Sequence, residues 1–322
     1  MKWSRRRLLK VLAGSPLVTS FGPAGTSAIQ GRTARKPTSF VKTRLRIALM
    51  QIETTLDVQD NYRRALRMAR EAGREKPDLM VFPELFAVGY RPEGMDRYAQ
   101  EIPGEASRQY SAVARETGSH IAFGLPQAGV RGIYNSLVLL GPTKLVGVYH
   151  KTHLYYDSRN PKGNEQKIFL PGHRLGNFNT PLGSLGLFTC HDGLYPEVPR
   201  CLTLNGADLL VWCLNDGPPM KWAPQHVYYN LIPLVAVNRV IKDEKTGKPA
   251  EWSGGSVLLA ADGNVVCQSR EPREEFLIGE VDLTQGRKLR MEGQGGQAFF
   301  RVRRPDLYEP IVRPKARRGM AA

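Results

Sequence analysis

Short apolar runs alternate with helical periodicities along most of the chain, and this pattern predicts the fold class. Residues 45–50 alternate in the manner of a strand, and residues 58–74 place apolar side chains at helical spacing. Further strands are predicted at 78–82, 119–125, 134–140, 144–149, 185–189, 208–214, 233–239, 256–260, 265–268 and 276–281, with helices at 105–117, from Pro196 onward and near 221–231. Strands that alternate with helices, together with hairpin pairs, indicate an α/β layer protein with mixed sheets.

The rest of the chain shows weaker patterns. Residues 155–180 are rich in Asp, Asn, Pro and Gly, which predicts loop. Residues 29–43 are polar and basic and are interpreted as a linker, so the predicted domain spans residues 44–283. Residues 284–322 are basic and Gly-rich, and we expect a C-terminal arm there.

Composition narrows the class of protein. The chain has 322 residues, 41% hydrophobic and 24% charged, which is globular composition and excludes a disordered chain or a multi-span membrane protein. Four cysteines are too few for a disulfide-built scaffold. The net charge of +16 first suggests nucleic acid. Much of the excess lies at the two ends, however, and no binding motif accompanies it, so no nucleic-acid partner is expected.

The amino terminus is typical of an export signal. Residues 4–10, Ser-Arg-Arg-Arg-Leu-Leu-Lys, resemble a twin-arginine signal, and residues 11–21 form an apolar stretch too short for a stable membrane span. Thr26-Ser27-Ala28 supplies small residues for a signal peptidase. We therefore expect residues 1–28 to engage the twin-arginine machinery and to direct the chain to the periplasm or another extracytoplasmic space. The alternative is a basic disordered tail.

Three predicted strand ends carry reactive side chains. Glu84 follows the buried run 78–82, Lys151 follows the strand 144–149, and Cys190 follows the strand 185–189. Cys190 then enters a Gly-containing turn before a helix opened by Pro196, a geometry that presents a nucleophile and is expected to lower the thiol pKa. Each has an ordinary alternative: a glutamate that has reached solvent, a surface lysine, and a packing cysteine.

Together the three resemble the Glu-Lys-Cys triad of the carbon–nitrogen hydrolase (nitrilase) superfamily. The resemblance covers about residues 44–283. It rests on ordered motifs at 82–84 (Phe-Pro-Glu), 150–154 (His-Lys-Thr-His-Leu), 169–172 (Phe-Leu-Pro-Gly), 190–197 (Cys-His-Asp-Gly-Leu-Tyr-Pro-Glu) and 252–256 (Trp-Ser-Gly-Gly-Ser). It implies a four-layer αββα sandwich with mixed sheets, no cofactor, and association into homo-oligomers.

The resemblance also implies roles for individual residues. The Cys190 thiolate would attack an amide carbonyl or a nitrile, with Glu84 as the general base. Lys151 and the backbone N–H of His191 would stabilise the oxyanion. Glu165 matches the second glutamate that positions substrate and the lysine in the family. The alternative for Glu165 is a surface carboxylate.

Other candidate residues have weaker patterns. His150 and His153 lack a further ligand pair at zinc-like spacing, so no metal is expected. The other three cysteines are predicted to pack inside helices or strands; they are Cys201, Cys213 and Cys267. Asp192 and Glu197 are predicted to brace the turn and cap the helix. Leu214-Asn215-Asp216 is predicted to line the pocket.

The predicted function is hydrolysis of a non-peptide C–N bond in a small amide or N-carbamoyl compound. Arg159, Arg174 and Arg200 are candidates to recognise an acidic group, but their spacing does not place them in the pocket. A nitrilase, an acyl transferase using the same thioester, and a non-catalytic binding protein on this fold are the alternatives. The Cys-His-Asp-Gly segment resembles amidase branches more than nitrilases, in which Trp-Glu more often follows the cysteine.

Overall fold

The computed structural model describes residues 42–89, 94–159, 163–215, 217, 219–242, 246–250, 252–293 and 300–312. Two six-stranded mixed sheets form its centre. The first sheet contains strands β1 (Arg44–Gln51), β2 (Leu79–Val81), β3 (His120–Gly129), β4 (Gly132–Leu140), β5 (Leu145–His150) and β12 (Glu275–Asp282). Its order is β12-β1-β2-β3-β4-β5, with β1, β2 and β3 parallel and the other pairs antiparallel.

The second sheet has the same plan. It contains strands β6 (Gly176–Thr180), β7 (Gly183–Thr189), β8 (Leu209–Cys213), β9 (Leu234–Val237), β10 (Val257–Leu259) and β11 (Val265–Gln268). Its order is β11-β10-β9-β8-β7-β6, in which β7, β8 and β9 are parallel. Parallel strands require crossover connections, and helices supply them in both sheets.

Six α-helices complete the described fold: α1 (Val58–Gly73), α2 (Glu105–Thr117), α3 (Glu197–Leu204), α4 (Ala223–Asn230), α5 (Leu283–Glu292) and α6 (Glu309–Val312). Local signals set their ends. The side chain of Asp57 accepts the backbone N–H of Asp60 at the start of α1, and Gly118 takes a left-handed conformation, φ 71°, at the end of α2.

Three apolar layers hold the four structural layers together. Alternate residues of β1 face opposite sides: Ile47 and Leu49 point between the sheets, whereas Ala48 and Met50 point toward α1 and α2. A third cluster packs α3 and α4 on the second sheet around Trp212. The architecture is therefore the predicted αββα sandwich, because each sheet is apolar on both faces.

The structure differs from the predicted elements in two places. Residues 155–180 are not all loop, because Gly176–Thr180 pairs with β7 as an edge strand and residues 165–167 form a 3-10 helix. The polar sequence of β6, typical of an edge strand, concealed it. Residues 284–292, which were assigned to the C-terminal arm, also form most of helix α5. Its Arg290 donates to the carbonyl of Leu231 at 2.9 Å, which ties α5 to the end of α4.

Within the described ranges, none of the helices has the length and apolar character to cross a bilayer. Residues 1–41, which include the predicted signal and most of the linker, lie outside the described residues.

Candidate active site

The end of β2 places Glu84 in the interior. The backbone N–H of Glu84 donates to the carbonyl of Leu214, just beyond β8, at 3.1 Å, so this loop joins the ends of strands from both sheets. The next residue, Leu85, has a left-handed backbone with φ 45°, which is uncommon for a branched side chain. Glu84 has no exposed surface. It has therefore not simply reached solvent at a strand end.

Lys151 lies between two carboxylates. Its Nζ is 2.9 Å from Glu84 Oε1 and 2.9 Å from Glu165 Oε2, and all three side chains are buried. Buried charges require such partners, since the cost of desolvation is otherwise large. The structure thus brings together Glu84, Lys151 and Glu165, and the burial of Glu165 excludes the alternative of a surface carboxylate.

The 3-10 helix at residues 165–167 holds Glu165 in place. Its Oε2 accepts the backbone N–H of Tyr155 at 2.7 Å, and its own backbone N–H donates to the Tyr155 carbonyl at 3.1 Å. Asn135 in β4 donates from Nδ2 to Glu84 Oε1 at 2.7 Å and to Glu165 Oε1 at 2.9 Å. The reasoning from the sequence missed Asn135. Its only signal was a polar residue at the start of the apolar run 137–140.

Cys190 begins a short 3-10 helix, Cys190–Leu194, which we call the elbow. Cys190 has φ 42°, a strained value for a residue with a Cβ, and the residue as a whole is half-buried. The carbonyl of Cys190 accepts Trp212 Nε1 at 3.1 Å, which anchors the elbow to β8. This strand–turn–helix arrangement agrees with the one expected from the sequence, and the full helix α3 starts only after Pro196.

Electrostatics in the site differ from one expectation. Burial and the neighbouring Glu84 raise the pKa of the Cys190 thiol well above its usual value, although Lys151 opposes them. The expected lowering by a helix N-terminus is therefore wrong, because the elbow is one short turn and the effects of burial and of Glu84 on the thiol outweigh it. Burial also raises the pKa of Glu84. Burial alone would lower the pKa of Lys151, but the negative charges of Glu165 and Glu84 outweigh it and raise the pKa of Lys151.

Asp192 braces the elbow, as predicted, through an extensive set of hydrogen bonds. Its Oδ2 accepts the Thr189 backbone N–H at 3.0 Å and the Tyr149 hydroxyl at 2.7 Å. Its Oδ1 accepts the Thr152 hydroxyl at 3.0 Å and both the backbone N–H, at 2.9 Å, and the ring of His153. Glu197 does not cap α3 as expected, because Pro196 occupies the N-cap and no side chain bonds there; Glu197 is exposed in the first turn, where its charge suits the helix dipole.

His191 faces a chain of rings beside the elbow. Its ring meets Tyr155 and Tyr195 edge-on, each at a centroid distance of 5.5 Å, and Tyr195 stacks on His153 at 4.0 Å. Burial and the charge of Lys151 lower the pKa of His191, so the ring is neutral near pH 7. Its backbone N–H directly follows the nucleophile, as the predicted oxyanion role requires.

The structure places the remaining predicted residues in different surroundings. Asn215 is buried and its carbonyl accepts Arg239 Nε at 3.3 Å, while Asp216 lies outside the described residues. Arg159 pairs with Asp157 in solvent, Arg174 is exposed, and Arg200 donates to the Tyr229 carbonyl at 2.5 Å on the outer helices. Neither of these two contacts is with the Glu84–Lys151–Glu165 cluster.

One of the predictions about the other cysteines and histidines is wrong. Cys201 is exposed on α3 and is not a packing residue, whereas Cys213 is buried and Cys267 half-buried. His150 bonds Gln127 at 2.9 Å and His153 bonds Asp192, so the two rings have separate partners. In the part of the chain that the structure describes, His, Cys, Asp and Glu side chains form no cluster suited to a metal ion.

Comparison with known proteins agrees with this geometry. The carbon–nitrogen hydrolase family model matches residues 46–291. A probable nitrilase of Schizosaccharomyces pombe is 33% identical over 80% of this chain and 94% of its own. A human omega-amidase is 28% identical over 83% of this chain and 97% of its own. The chain belongs to the carbon–nitrogen hydrolase family of the nitrilase superfamily, and it is an enzyme, which excludes the non-catalytic alternative.

Solved structures show the same fold. The carbon–nitrogen hydrolase of Helicobacter pylori G27 superposes with a TM-score of 0.74 at 24% identity, over 84% of this chain and 99% of that one. The amidase of a Nesterenkonia species superposes with a TM-score of 0.68 at 22% identity, over 85% of this chain and 99% of that one. Both confirm the predicted nitrilase-like sandwich.

Proposed function

We propose that the protein is an amidase that hydrolyses the C–N bond of a small amide or N-carbamoyl compound through a thioester on Cys190 and releases ammonia. The observation that carries the proposal is the buried Lys151 ammonium, held 2.9 Å from each of two carboxylates and close enough to the half-buried Cys190 to act on its thiol. A fixed positive charge beside a nucleophile is what stabilisation of a tetrahedral oxyanion requires.

In the first half-reaction, Glu84 removes the proton of the Cys190 thiol and the sulfur attacks the carbonyl carbon. The raised pKa of the thiol makes this transfer necessary, since little thiolate exists before substrate binds. The π pair moves to the carbonyl oxygen, near the Lys151 ammonium and the His191 N–H. As the pair returns, the C–N bond breaks, the amine takes the proton from Glu84, and the thioester remains.

In the second half-reaction, water attacks the thioester. Glu84 takes the proton from water as the new C–O bond forms, and the same oxyanion partners stabilise the second tetrahedral intermediate. The C–S bond then breaks, the acid product leaves, and the sulfur regains a proton. Glu165 does not exchange protons in this scheme. It holds Lys151 in place through the contact at 2.9 Å.

Two related proteins support the substrate class. The human relative at 28% identity is named an omega-amidase, and a tomato relative at 27% identity is named an N-carbamoylputrescine amidase. The amide or carbamoyl carbon suits this site because the expelled nitrogen can receive the proton that Glu84 carries.

A nitrilase is the second candidate. The Schizosaccharomyces pombe relative at 33% identity and one of Pyrococcus abyssi at 31% are named nitrilases. The same thiol adds to a nitrile carbon, giving a thioimidate that needs two waters to reach the acid. Paired nitriles and amides with the same carbon skeleton separate the two activities.

Ammonia release tests the proposal. The purified protein, Cys190→Ala and Cys201→Ala are incubated with short amides, N-carbamoyl amino acids, ureido acids and the paired nitriles. We expect ammonia from wild type and Cys201→Ala on amides or carbamoyl compounds, and none from Cys190→Ala. Cys201 is the matched control because it is an exposed thiol of the same chain. Activity restricted to nitriles would replace the amidase by a nitrilase.

Absence of turnover over the whole panel by the folded protein would contradict both candidates. That result would mean that the cluster around Lys151 does not activate the thiol.

We further propose that residues 1–28 direct export by the twin-arginine route and that copies of the chain associate into homo-oligomers. The paired arginines within Arg5–Arg7 and the small residues at 26–28 support export. Replacement of all three arginines by lysine is expected to retain the protein in the cytoplasm of an expressing bacterium. Light scattering of the purified protein tests association, and a monomer mass would contradict it.

A further inference from the structure

Asn135, like Lys151, bonds both carboxylates of the site, and it does so without carrying a charge. Its Nδ2 donates to Glu84 Oε1 at 2.7 Å and to Glu165 Oε1 at 2.9 Å. Its backbone carbonyl accepts the N–H of Lys151 at 2.9 Å. The residue has no exposed surface. Asn135 is therefore bonded to three of the charged residues around the reacting atoms, although its own side chain is neutral.

The two carboxylates determine how the Asn135 amide is oriented. Ionised carboxylates only accept hydrogen bonds, so the reversed amide would place Oδ1 against two negative oxygens. In the observed orientation Oδ1 is buried, and no described residue bonds it. An unmade bond on a buried acceptor is costly. The site tolerates this cost because both N–H groups are used on charged partners.

The two oxygens of Glu84 consequently have different surroundings. Oε1 accepts Asn135 Nδ2 at 2.7 Å and Lys151 Nζ at 2.9 Å. Oε2 is buried without a hydrogen-bond partner among the described residues. A proton placed on Oε1 would compete with two donors, one of them an ammonium. A proton placed on Oε2 disturbs neither bond.

We propose that Asn135 is a positioning residue which, with Lys151, occupies Oε1 of Glu84 and leaves Oε2 as the atom that takes and returns the catalytic proton. The inference rests on the proposed function. In the first step the S–H bond of Cys190 breaks, the electron pair stays on sulfur, and the O–H bond forms at Oε2. In the second step the Oε2–H bond breaks and the proton passes to the leaving nitrogen.

The proposal makes a directional prediction about pH. The ionised form of Glu84 is faced by Lys151, Glu165, Cys190 and Cys213, and the bond from Asn135 lowers the pKa of Glu84 against the effect of burial. Loss of that N–H raises the pKa of Glu84 further, so the base form is reached only at higher pH. A residue that merely filled space would not shift this titration.

The test uses Asn135→Leu, which keeps the approximate side-chain shape and removes both donors, and Asn135→Ala as a smaller second variant. Ser136→Ala is the matched control, since Ser136 is buried next to it in β4 but bonds Gln127 at 2.9 Å. We expect kcat/KM to fall about 10- to 100-fold in the Asn135 variants, mainly in kcat, as for lost bonds to charged groups. The acidic limb of kcat/KM should move to higher pH, and Ser136→Ala should keep the wild-type limb.

A second measurement is independent of the substrate. The rate of Cys190 alkylation by iodoacetamide, followed against pH by peptide mass analysis, should show the same upward shift in the Asn135 variants. Coincident pH profiles in wild type and a folded Asn135 variant would overturn the inference while leaving the amidase intact. No ammonia from wild type, with shifted alkylation profiles, would instead contradict the proposed function and support the role of Asn135.

Discussion

Asp192 Oδ1 accepts the backbone N–H of His153 at 2.9 Å, so the elbow that carries Cys190 is tied directly to the segment that carries Lys151. The carboxylate has no exposed surface. Despite burial, the bond from His153 and the charge of Lys151 hold the pKa of Asp192 below its usual value. The nucleophile and its neighbouring cation come from strands of different sheets, and this one side chain links them.

Asp192→Asn tests the link. In the variant an NH₂ group replaces one carboxylate oxygen. This group faces N–H and O–H donors whose hydrogen bonds the oxygen accepted, so at least one buried donor is left without a partner. We expect a loss of about 1.5–3 kcal/mol in the free energy of unfolding, the range for bonds to charged groups, and a marked fall in kcat. Urea unfolding and steady-state kinetics measure both. Asp96→Asn, at an exposed position, is the control and should change stability by less than about 0.5 kcal/mol.

Glu165→Gln should move the pH profile in the direction opposite to the Asn135 variants. The negative charge of Glu165 helps to raise the pKa of Glu84, so its neutralisation lowers that pKa and extends the base form to lower pH. We expect the acidic limb of kcat/KM to shift downward while kcat falls, because Lys151 loses a charged partner at 2.9 Å. An upward shift would contradict this account of the cluster.

Lys151→Met should destabilise the fold in a pH-dependent way. Removal of the ammonium leaves Glu84 and Glu165 buried together, and breaking a buried pair costs about 3–5 kcal/mol. Without the opposing charge of Lys151 the pKa of Glu84 rises further above its unfolded value, so stability is lost as the pH rises from the unfolded value toward the raised one and is recovered as the pH falls back. Urea unfolding from pH 5 to pH 8 measures the difference in the free energy of unfolding between wild type and variant. A difference that does not become smaller at lower pH would contradict the prediction.

Gly124→Ala should displace Glu84 without touching its side chain. A Cβ at Gly124 in β3 would lie 2.6 Å from the backbone N of Leu85 and 2.9 Å from the Cα of Glu84. Backbone atoms cannot rotate away as a flexible side chain can, so the loop after β2 must shift. We expect kcat/KM to fall at least about 100-fold, the cost of a misplacement of about 1 Å. Wild-type kinetics in a folded variant would show that the loop adapts.

Much of the fold was predictable because the core strands are apolar on both faces. Such runs identify β2 and β8 regardless of their neighbours, whereas the alternation of residues 45–50 identifies β1. Edge strand β6, with the sequence Gly-Asn-Phe-Asn-Thr, lacks that signal and was assigned to loop. Its strand conformation comes from pairing with β7, which is a property of the assembled sheet.

Some residues of the site could likewise be predicted from the sequence and others could not. Glu84, Lys151 and Cys190 could be found because each follows an apolar strand and lies within a short motif. Asn135 could not be found, since it lies inside a predicted strand with no reactive neighbour in the sequence. The direction of the Cys190 pKa was predicted wrongly, because the local turn favours the thiolate while the surrounding protein disfavours it.

The order of apolar strands and the residues that follow them were determined by the sequence alone, since strand periodicity and turn chemistry are local properties. Only the tertiary structure decided that Glu84, Lys151, Glu165 and Asn135 meet in the interior with no exposed surface, and that one oxygen of Glu84 is bonded twice and the other not at all among the described residues. The reason is physical: burial and hydrogen bonding depend on every layer packed around a group, and those layers are far apart in the chain.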